Sequence, residues 1–216
     1  TGQGIGPVTT PLTRRLLGFV SKRAKSILVR DPQESKKLLL SLGTPEETVY
    51  CAGDDALSLP AVPCPLRLDK TKDKILGVHF RISPFTPDAD QLESTMSELV
   101  QRMSAQGWKL RFFIFAGQQS WEKAIYERMT TNLTDDQYEI IEEDDPRKLR
   151  YAVSQCTLGI GIAYHFLVFA LAESVPCIGL YKGEYYRQKL EGLFTCFEKL
   201  PWACCYDQET ASSLEA

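Results

Sequence analysis

From Ile75 to Leu193, short apolar runs alternate with segments of helical period, a pattern that argues for a parallel sheet covered by helices on both faces. The runs 75–80, 109–115, 138–141, 158–161 and 176–180 read as strands, and 88–106, 120–133, 146–155, 164–173 and 185–193 read as the helices between them. No internal repeat or low-complexity tract interrupts the series. Ligands of such doubly wound sheets gather at the carboxyl ends of the strands. That rule singles out Arg81, Ala116-Gly117, Glu142-Glu143, Ala163 to His165 and Tyr181 to Tyr186. The stretch from Gly159 to Leu193 reads as the C-terminal half of a nucleotide-binding-type domain, with His165 where such domains place an active site.

The upstream part carries the same alternation in miniature. Helical spacing over 11–25 is followed by a buried strand at 27–29 and a helix over 32–42, opened by Asp31 as N-cap with Pro32 behind it and closed by Gly43. A strand over 48–52 then runs into Gly53-Asp54-Asp55-Ala56, a strand-end turn. By the strand-end rule Arg30, Asp54 and Asp55 are positions of interest here. Pro60, Pro63 and Pro65, with the charged run 69–74 after them, suit neither a helix nor a central strand. The expected organisation is a first Rossmann-like domain over 1–65, a linker over 66–73 and a second Rossmann-like domain over 74–216. The first residues enter a glycine loop with no element before it, so the chain is expected to begin inside a domain. Residues 207–216 read as the opening of a helix without a C-cap.

Composition narrows the partners. The 216 residues are 44% hydrophobic and 25% charged with a net charge of -3, which gives no pull toward nucleic acid or an anionic membrane. Apolar runs such as 112–116 and 166–172 fall far short of a bilayer span of roughly 18–20 residues. Seven cysteines, an odd number without a CxxC pair, read as buried free thiols rather than disulfides. His79 and His165 are the two histidines, too few for a His-rich metal site and without zinc-site spacing, so no metal is expected. The sequon Asn132-Leu133-Thr134 matters only in a secretory compartment.

Each candidate residue carries a functional and a plain structural reading. His165 falls in the first turn of its helix, where the macrodipole favours a neutral imidazole able to move a proton, or the ring simply bonds a neighbouring carbonyl. Arg81 ends a strand, where its fork suits a carboxylate or phosphate, or an internal acid. The loop Gly2-Gln3-Gly4-Ile5-Gly6-Pro7 has the look of a phosphate cradle but lacks the third glycine of GxGxxG and the Lys-Ser/Thr of a P-loop, so a plain turn before the helix competes. Asp54 and Asp55 either position sugar hydroxyls or close a turn. Lys182-Gly183-Glu184-Tyr185-Tyr186-Arg187-Gln188-Lys189 mixes tyrosines and bases in a way that suits a sugar or phosphate, although Tyr186 and Lys189 could equally cover surface. Leu167, Val168 and Leu171, with Phe112, Phe113 and Phe115, read as core. The acidic run 142–145 reads as a loop capping the helix at Pro146.

Four of these motifs together resemble the polysaccharide pyruvyl transferase family over nearly the whole chain. They are Gly2 to Pro7 (GQGIGP), Val29-Arg30-Asp31-Pro32 with Ser35, Gly53 to Ala56 (GDDA), and Tyr164 to Leu171 followed by Val175-Pro176. The resemblance implies a GT-B fold of two Rossmann-like domains, with about the first hundred residues absent. It also implies transfer of a pyruvyl group from phosphoenolpyruvate, as donor substrate and with no cofactor, to two sugar hydroxyls, with Arg81 on the donor's anionic groups and His165 moving protons. Lys182, Tyr185, Tyr186 and Lys189 would help bind the donor, and Gly4, Asp54 and Asp55 the acceptor. The implied setting is cytoplasmic, with a lipid-linked acceptor as a route to the membrane. One departure matters: the family's R-x-H pattern has Ala163 where the arginine belongs. Losing one charge-assisted anion contact costs about 1.5–3 kcal/mol unless it is replaced. Either the Lys182 to Lys189 stretch compensates or the donor differs. Two rival functions remain, a GT-B glycosyltransferase using a nucleotide sugar and a catalytically lapsed sugar-binding protein.

Overall fold

The computed structural model describes residues 2, 4–6, 8–80, 89–115, 120–198 and 202–205. Their elements run α1 (Pro11–Ser21), β1 (Ile27–Val29), α2 (Lys37–Ser41), β2 (Val49–Cys51), β3 (Ile75–His79), α3 (Ala89–Ala105), β4 (Lys109–Ile114), α4 (Ser120–Met129) and β5 (Tyr138–Glu142). They continue with α5 (Pro146–Ser154), β6 (Leu158–Gly161), α6 (Tyr164–Ala172), β7 (Cys177–Tyr181), α7 (Glu184–Thr195) and β8 (Ala203–Cys205). The chain divides into two compact units, Thr1–Leu59 with Gly183–Pro201, and Pro60–Lys182 with Trp202–Ala216.

The first unit is built on the parallel pair β1 and β2, with Ile27 opposite Val49 and Val29 opposite Cys51. Thr10 caps α1 by accepting the Thr13 amide, and Pro11 fills its first position. The helix ends at Ser21, short of the expected 25, because Arg23 and Ala24 bond back three residues, to Val20 and Ser21, and tighten the last turn. Asp31 is the expected N-cap: one carboxylate oxygen accepts the Glu34 and Ser35 amides at 2.7 and 3.0 Å. The turn Pro32–Lys36 is wound as a π-helix before α2 takes over, a detail that hydrophobic periodicity does not convey. Val29, Leu39 and Val49 form a small core with Ile5, Leu17 and Ile27 against it.

The second unit holds a six-stranded, all-parallel sheet in the order β5-β4-β3-β6-β7-β8. Relabelled from β3 as first, this is the doubly wound order of Rossmann folds, with the reversal between β3 and β6. Every residue of β3 is buried, as befits a central strand. The strand β8 is missing from the sequence reading because its three residues, Ala-Cys-Cys, make too short a run to show a period. Helix α4 stops at Met129 rather than 133, as the Thr130 hydroxyl turns back onto the Tyr126 carbonyl at 2.9 Å. The segment expected as a linker is fastened along the second unit. Val62 donates to the Arg147 carbonyl at 3.1 Å, the Arg67 amide to Glu139 at 2.8 Å, and Lys70 Nζ to the Ser154 carbonyl at 2.7 Å. The compact units therefore part at Leu59/Pro60 rather than at 66–73, and α7 groups with the first unit rather than the second.

Among the described residues, no helix is long and apolar enough to cross a membrane. Two of the seven cysteines, Cys156 and Cys177, are buried; Cys51 and Cys196 are exposed, which corrects the expectation of uniformly buried thiols.

Candidate functional site

In the second unit, local packing decides where His165 stands. Strand β6 reads Leu-Gly-Ile-Gly, and a Cβ on Gly161 would lie 2.6 Å from the His79 carbonyl oxygen and 2.8 Å from the Phe166 ring. Glycine there lets the fully buried Phe166 seat α6 directly on the sheet, stacked over His79 at 6.0 Å. The preceding residue, His165, is thereby turned outward and is exposed, its ring edge-on to Tyr164 at 5.5 Å. Ala163 occupies the N-cap without a side-chain acceptor. Because β6 follows the reversal of strand order, this helix start lies at the topological switch point. The other histidine, His79, is 1% exposed between Phe115 and Phe166 and belongs to the core.

Arg81 lies outside the described residues. The residue before it is held: the Phe80 amide donates to Tyr126 Oη at 3.3 Å, and that hydroxyl is within 3.0 Å of the Phe113 carbonyl. Burial pushes the Tyr126 phenol far above its ordinary range, so it serves as a neutral clamp on the end of β3. Lys182 directly follows β7, the neighbour of β6 in the sheet.

The first unit contains a cavity of about 250 Å³ lined by the glycine loop, Arg14, Arg30, Ser35, Tyr185 and Lys189. Three family-like motifs are tied together at its wall. The Ile5 amide donates to Ser35 Oγ at 2.9 Å, and Ser35 Oγ donates to Asp31 at 2.6 Å, so the loop is fixed on the same serine that the Asp31 cap holds. Gly4 lies flat against Arg30: a Cβ there would come within 2.5 Å of the guanidinium. Arg30 also faces Asp54 at 3.9 Å, while Asp54 accepts the Ala56 amide at 2.9 Å and opens a short turn. Asp55 sits beneath Gly2, where a Cβ would meet its carboxylate at 2.6 Å.

Three bases, Arg14, Arg30 and Lys189, and two acids, Asp31 and Glu34, line this cavity. Desolvation and then repulsion from Arg30 lower the Lys189 pKa, with Asp54 offsetting part of the effect. Of the acids nearby, Asp31 spends its carboxylate on the Glu34 and Ser35 amides and the Ser35 hydroxyl, leaving Glu34 as the other acidic residue at the wall. Half-buried like charges of this kind are eased by a small anion. Tyr185 and Tyr186 are both about half exposed at 46% and 49%, rings edge-on at 5.2 Å, with Tyr185 at the cavity. Arg187 is taken up by its own helix, bridging Glu184 and Glu191.

Of the residues singled out in sequence, the structure gathers Gly4, Tyr185 and Lys189 at one cavity, with Asp54 acting through Arg30, and places His165 and Lys182 at strand ends of the second unit. Arg14, Arg30 and Ser35 are added to the first group. Arg30 had a signal, its strand-end position; Arg14 had none, being one base among several on a helix. Among the described residues no group of three or more His, Cys, Asp or Glu side chains is arranged to hold a metal ion.

Comparison with known proteins gives the family and the fold. A family model described as polysaccharide pyruvyl transferase matches residues 1–182. No curated protein matches the chain. Among solved structures, a Listeria monocytogenes protein provisionally assigned as a UDP-N-acetylglucosamine 2-epimerase aligns with a TM-score of 0.61 at 14% identity, over 86% of this chain and 49% of its own. UDP-GlcNAc 2-epimerase from Neisseria meningitidis, bound to UDP-GlcNAc, gives 0.56 at 12% identity, over 93% and 60%. Escherichia coli heptosyltransferase WaaC with ADP gives 0.51 at 12% identity, over 88% and 63%. These likenesses establish the parallel α/β fold of GT-B type, and the chain spans about half to under two thirds of the length of those structures.

Proposed function

Because this chain belongs to the polysaccharide pyruvyl transferase family, we propose that it moves a pyruvyl group from phosphoenolpyruvate onto two hydroxyls of a sugar in a glycan or glycan precursor. The observation that carries this reading is His165, exposed in the first turn of the helix that follows the switch-point strand. In this scheme the imidazole takes the proton of the first sugar hydroxyl as its oxygen attacks the central carbon of the enolpyruvyl group, and hands that proton to the terminal methylene, which becomes a methyl. The carbon–oxygen bond to phosphate then breaks, and the second hydroxyl closes the ketal on the same carbon, its proton leaving with phosphate.

Arg81 is assigned the anionic groups of the donor. Lys182, at the carboxyl end of the strand beside β6, is assigned a share of the charge that an arginine at position 163 would have met. In the first unit, Lys189 and Arg30 are assigned an anionic group, with Tyr185 and Tyr186 beside it for a sugar ring. Asp54 is assigned to steadying Arg30 and Asp55 to supporting the loop that bears Gly4.

Incubating the protein with phosphoenolpyruvate and a panel of sugars, sugar nucleotides and lipid-linked sugars should release phosphate only when an acceptor is present. His165→Ala should lower turnover by about 10²–10⁴-fold. Full activity in both His165→Ala and Arg81→Ala would overturn these roles. A nucleotide-sugar donor is the second reading, favoured by the start of α7, where Gly183 offers no side-chain cap and Tyr185 and Lys189 follow. Thermal stabilisation by UDP or GDP but not by phosphoenolpyruvate would select it.

A further inference from the structure

Cys156 and Cys177 are buried, which closes them to a disulfide in solution, and desolvation pushes their thiols up to about 11 and about 12. Cys51 and Cys196 are different. Both are exposed, one at the end of β2 and the other at the C-cap of α7, and both belong to the first unit.

The fold brings these two thiols together from distant parts of the sequence. Cys51 stands opposite Val29 in the parallel pair, and the Cys196 thiol donates to the carbonyl of the next residue, Arg30, at 3.6 Å and to Gly192 at 3.3 Å. The last turn of α7 is seated on that strand end, since a Cβ on Gly192 would come within 3.1 Å of Asp31 Cβ. Cys51 is also near enough to Cys196 to act on its thiol. Burial, and then the neighbouring Cys51, push Cys196 up to about 12. Both thiols are open to a small disulfide in solution, and the exposed Cys51 is taken as the first to react.

We infer that Cys51 and Cys196 are a reversible dithiol–disulfide pair that, on exchange with a low-molecular-weight disulfide such as oxidised glutathione, fastens α7 to the β1–β2 sheet. The Cys51 thiolate attacks one sulfur of oxidised glutathione; the disulfide bond breaks and one glutathione leaves as thiolate. With Cys51 held in the mixed disulfide its repulsion of a Cys196 thiolate is gone, and Cys196 gives up its proton to solvent and attacks the Cys51 sulfur, expelling the second glutathione. Two protein thiols are oxidised to one disulfide while glutathione disulfide is reduced to two thiols. The bond would fix the helix that carries Tyr185 and Lys189 at the cavity wall, so the pair acts on the geometry of that wall.

The test is to equilibrate the purified protein in graded mixtures of reduced and oxidised glutathione, quench with acid, alkylate and map peptides. We expect a species lighter by two hydrogens, with the Cys51 and Cys196 peptides joined, reversed by dithiothreitol and absent from both Cys51→Ser and Cys196→Ser. Closing a loop of about 145 residues should also raise the thermal midpoint by roughly 5–10 °C. Glutathione adducts on both cysteines without an internal bridge, or a bridge between other cysteines, would overturn the inference, as would bridging that appears only in denaturant. The mapping uses the unsubstituted chain, so it stands whether or not the serine variants fold.

Discussion

At the scale of single residues, Gly4 is a position where one added methyl group would be felt at the cavity. A Cβ there would lie 2.5 Å from the Arg30 guanidinium, which would have to leave both the loop and Asp54. Gly4→Ala should therefore weaken binding of a small anion about tenfold, the scale of one charge-assisted contact, while changing stability little. Calorimetric titration with sulfate measures this, and unchanged affinity would remove Arg30 from the anion's contacts. Lys189 gives a pH dependence to the same binding. Its pKa is lowered by desolvation and by Arg30, with Arg14, Glu34 and the partly offsetting Asp54 as the other charges around it. The anion needs the protonated amine, so affinity should fall as pH rises, and the fall should begin below the ordinary lysine value of 10.5. Sulfate, whose charge is constant over that range, is the suitable probe. Lys189→Met should flatten the alkaline part of the curve, and a profile identical to the parent's would contradict the assignment.

At the scale of elements, sequence was most informative where a segment's own side chains decide its state. The strands β3, β4, β6 and β7 are short apolar runs, and the caps Asp31 and Asp145 with their prolines mark helix starts in both languages. What stayed hidden are features made by distant partners. Arg111 interrupts an apolar run, yet it is fully buried and saturated: Nε and Nη2 meet Glu139 at 2.7 Å, Nη1 meets the Ala152 and Gln155 carbonyls, and Nη2 meets the Leu68 carbonyl at 2.8 Å. Glu139 in turn accepts the Arg67 amide, so one buried pair locks β4, β5, the end of α5 and the stretch after Pro65. Nothing local in the sequence pairs Arg111 with Glu139. Breaking the pair on one side, as in Glu139→Leu, should cost about 3–5 kcal/mol because the arginine is left charged and buried. Replacing both with apolar residues of similar volume should cost much less. Urea unfolding of the two single variants and the double variant checks this, and additive losses would contradict it.

At the scale of the whole chain, the glycine loop and the Asp31 and Gly53 motifs were legible as a group, while the return of α7 to the first unit was not. A helical period says which face of a segment is apolar and nothing about which core receives it. The chain leaves the second unit after β7, lends α7 to the first, and comes back for β8, so the two units are covalently interleaved. Their cores differ in size. The first holds the cluster of Val29, Leu39 and Val49 with the buried Leu190, Leu193 and Phe194 of α7, whereas the second packs Leu76, Val78, Phe80, Met96, Phe112, Tyr126 and further side chains into one cluster. Buried apolar area sets the larger part of stability, so the amides of β1 and β2 should exchange faster than those of β3, β4 and β6. The cavity assigned to an anion lies wholly within the first unit, so a ligand that binds it should stabilise that unit by mass action and leave the second nearly unchanged. Hydrogen exchange followed by mass spectrometry, with and without saturating phosphate, should show slowing concentrated in residues 27–51 and 184–195. Equal slowing in β3 to β6 would mean that the anion is held by the second unit instead, and the roles given to Arg30 and Lys189 would then pass to Lys182 and the start of α6.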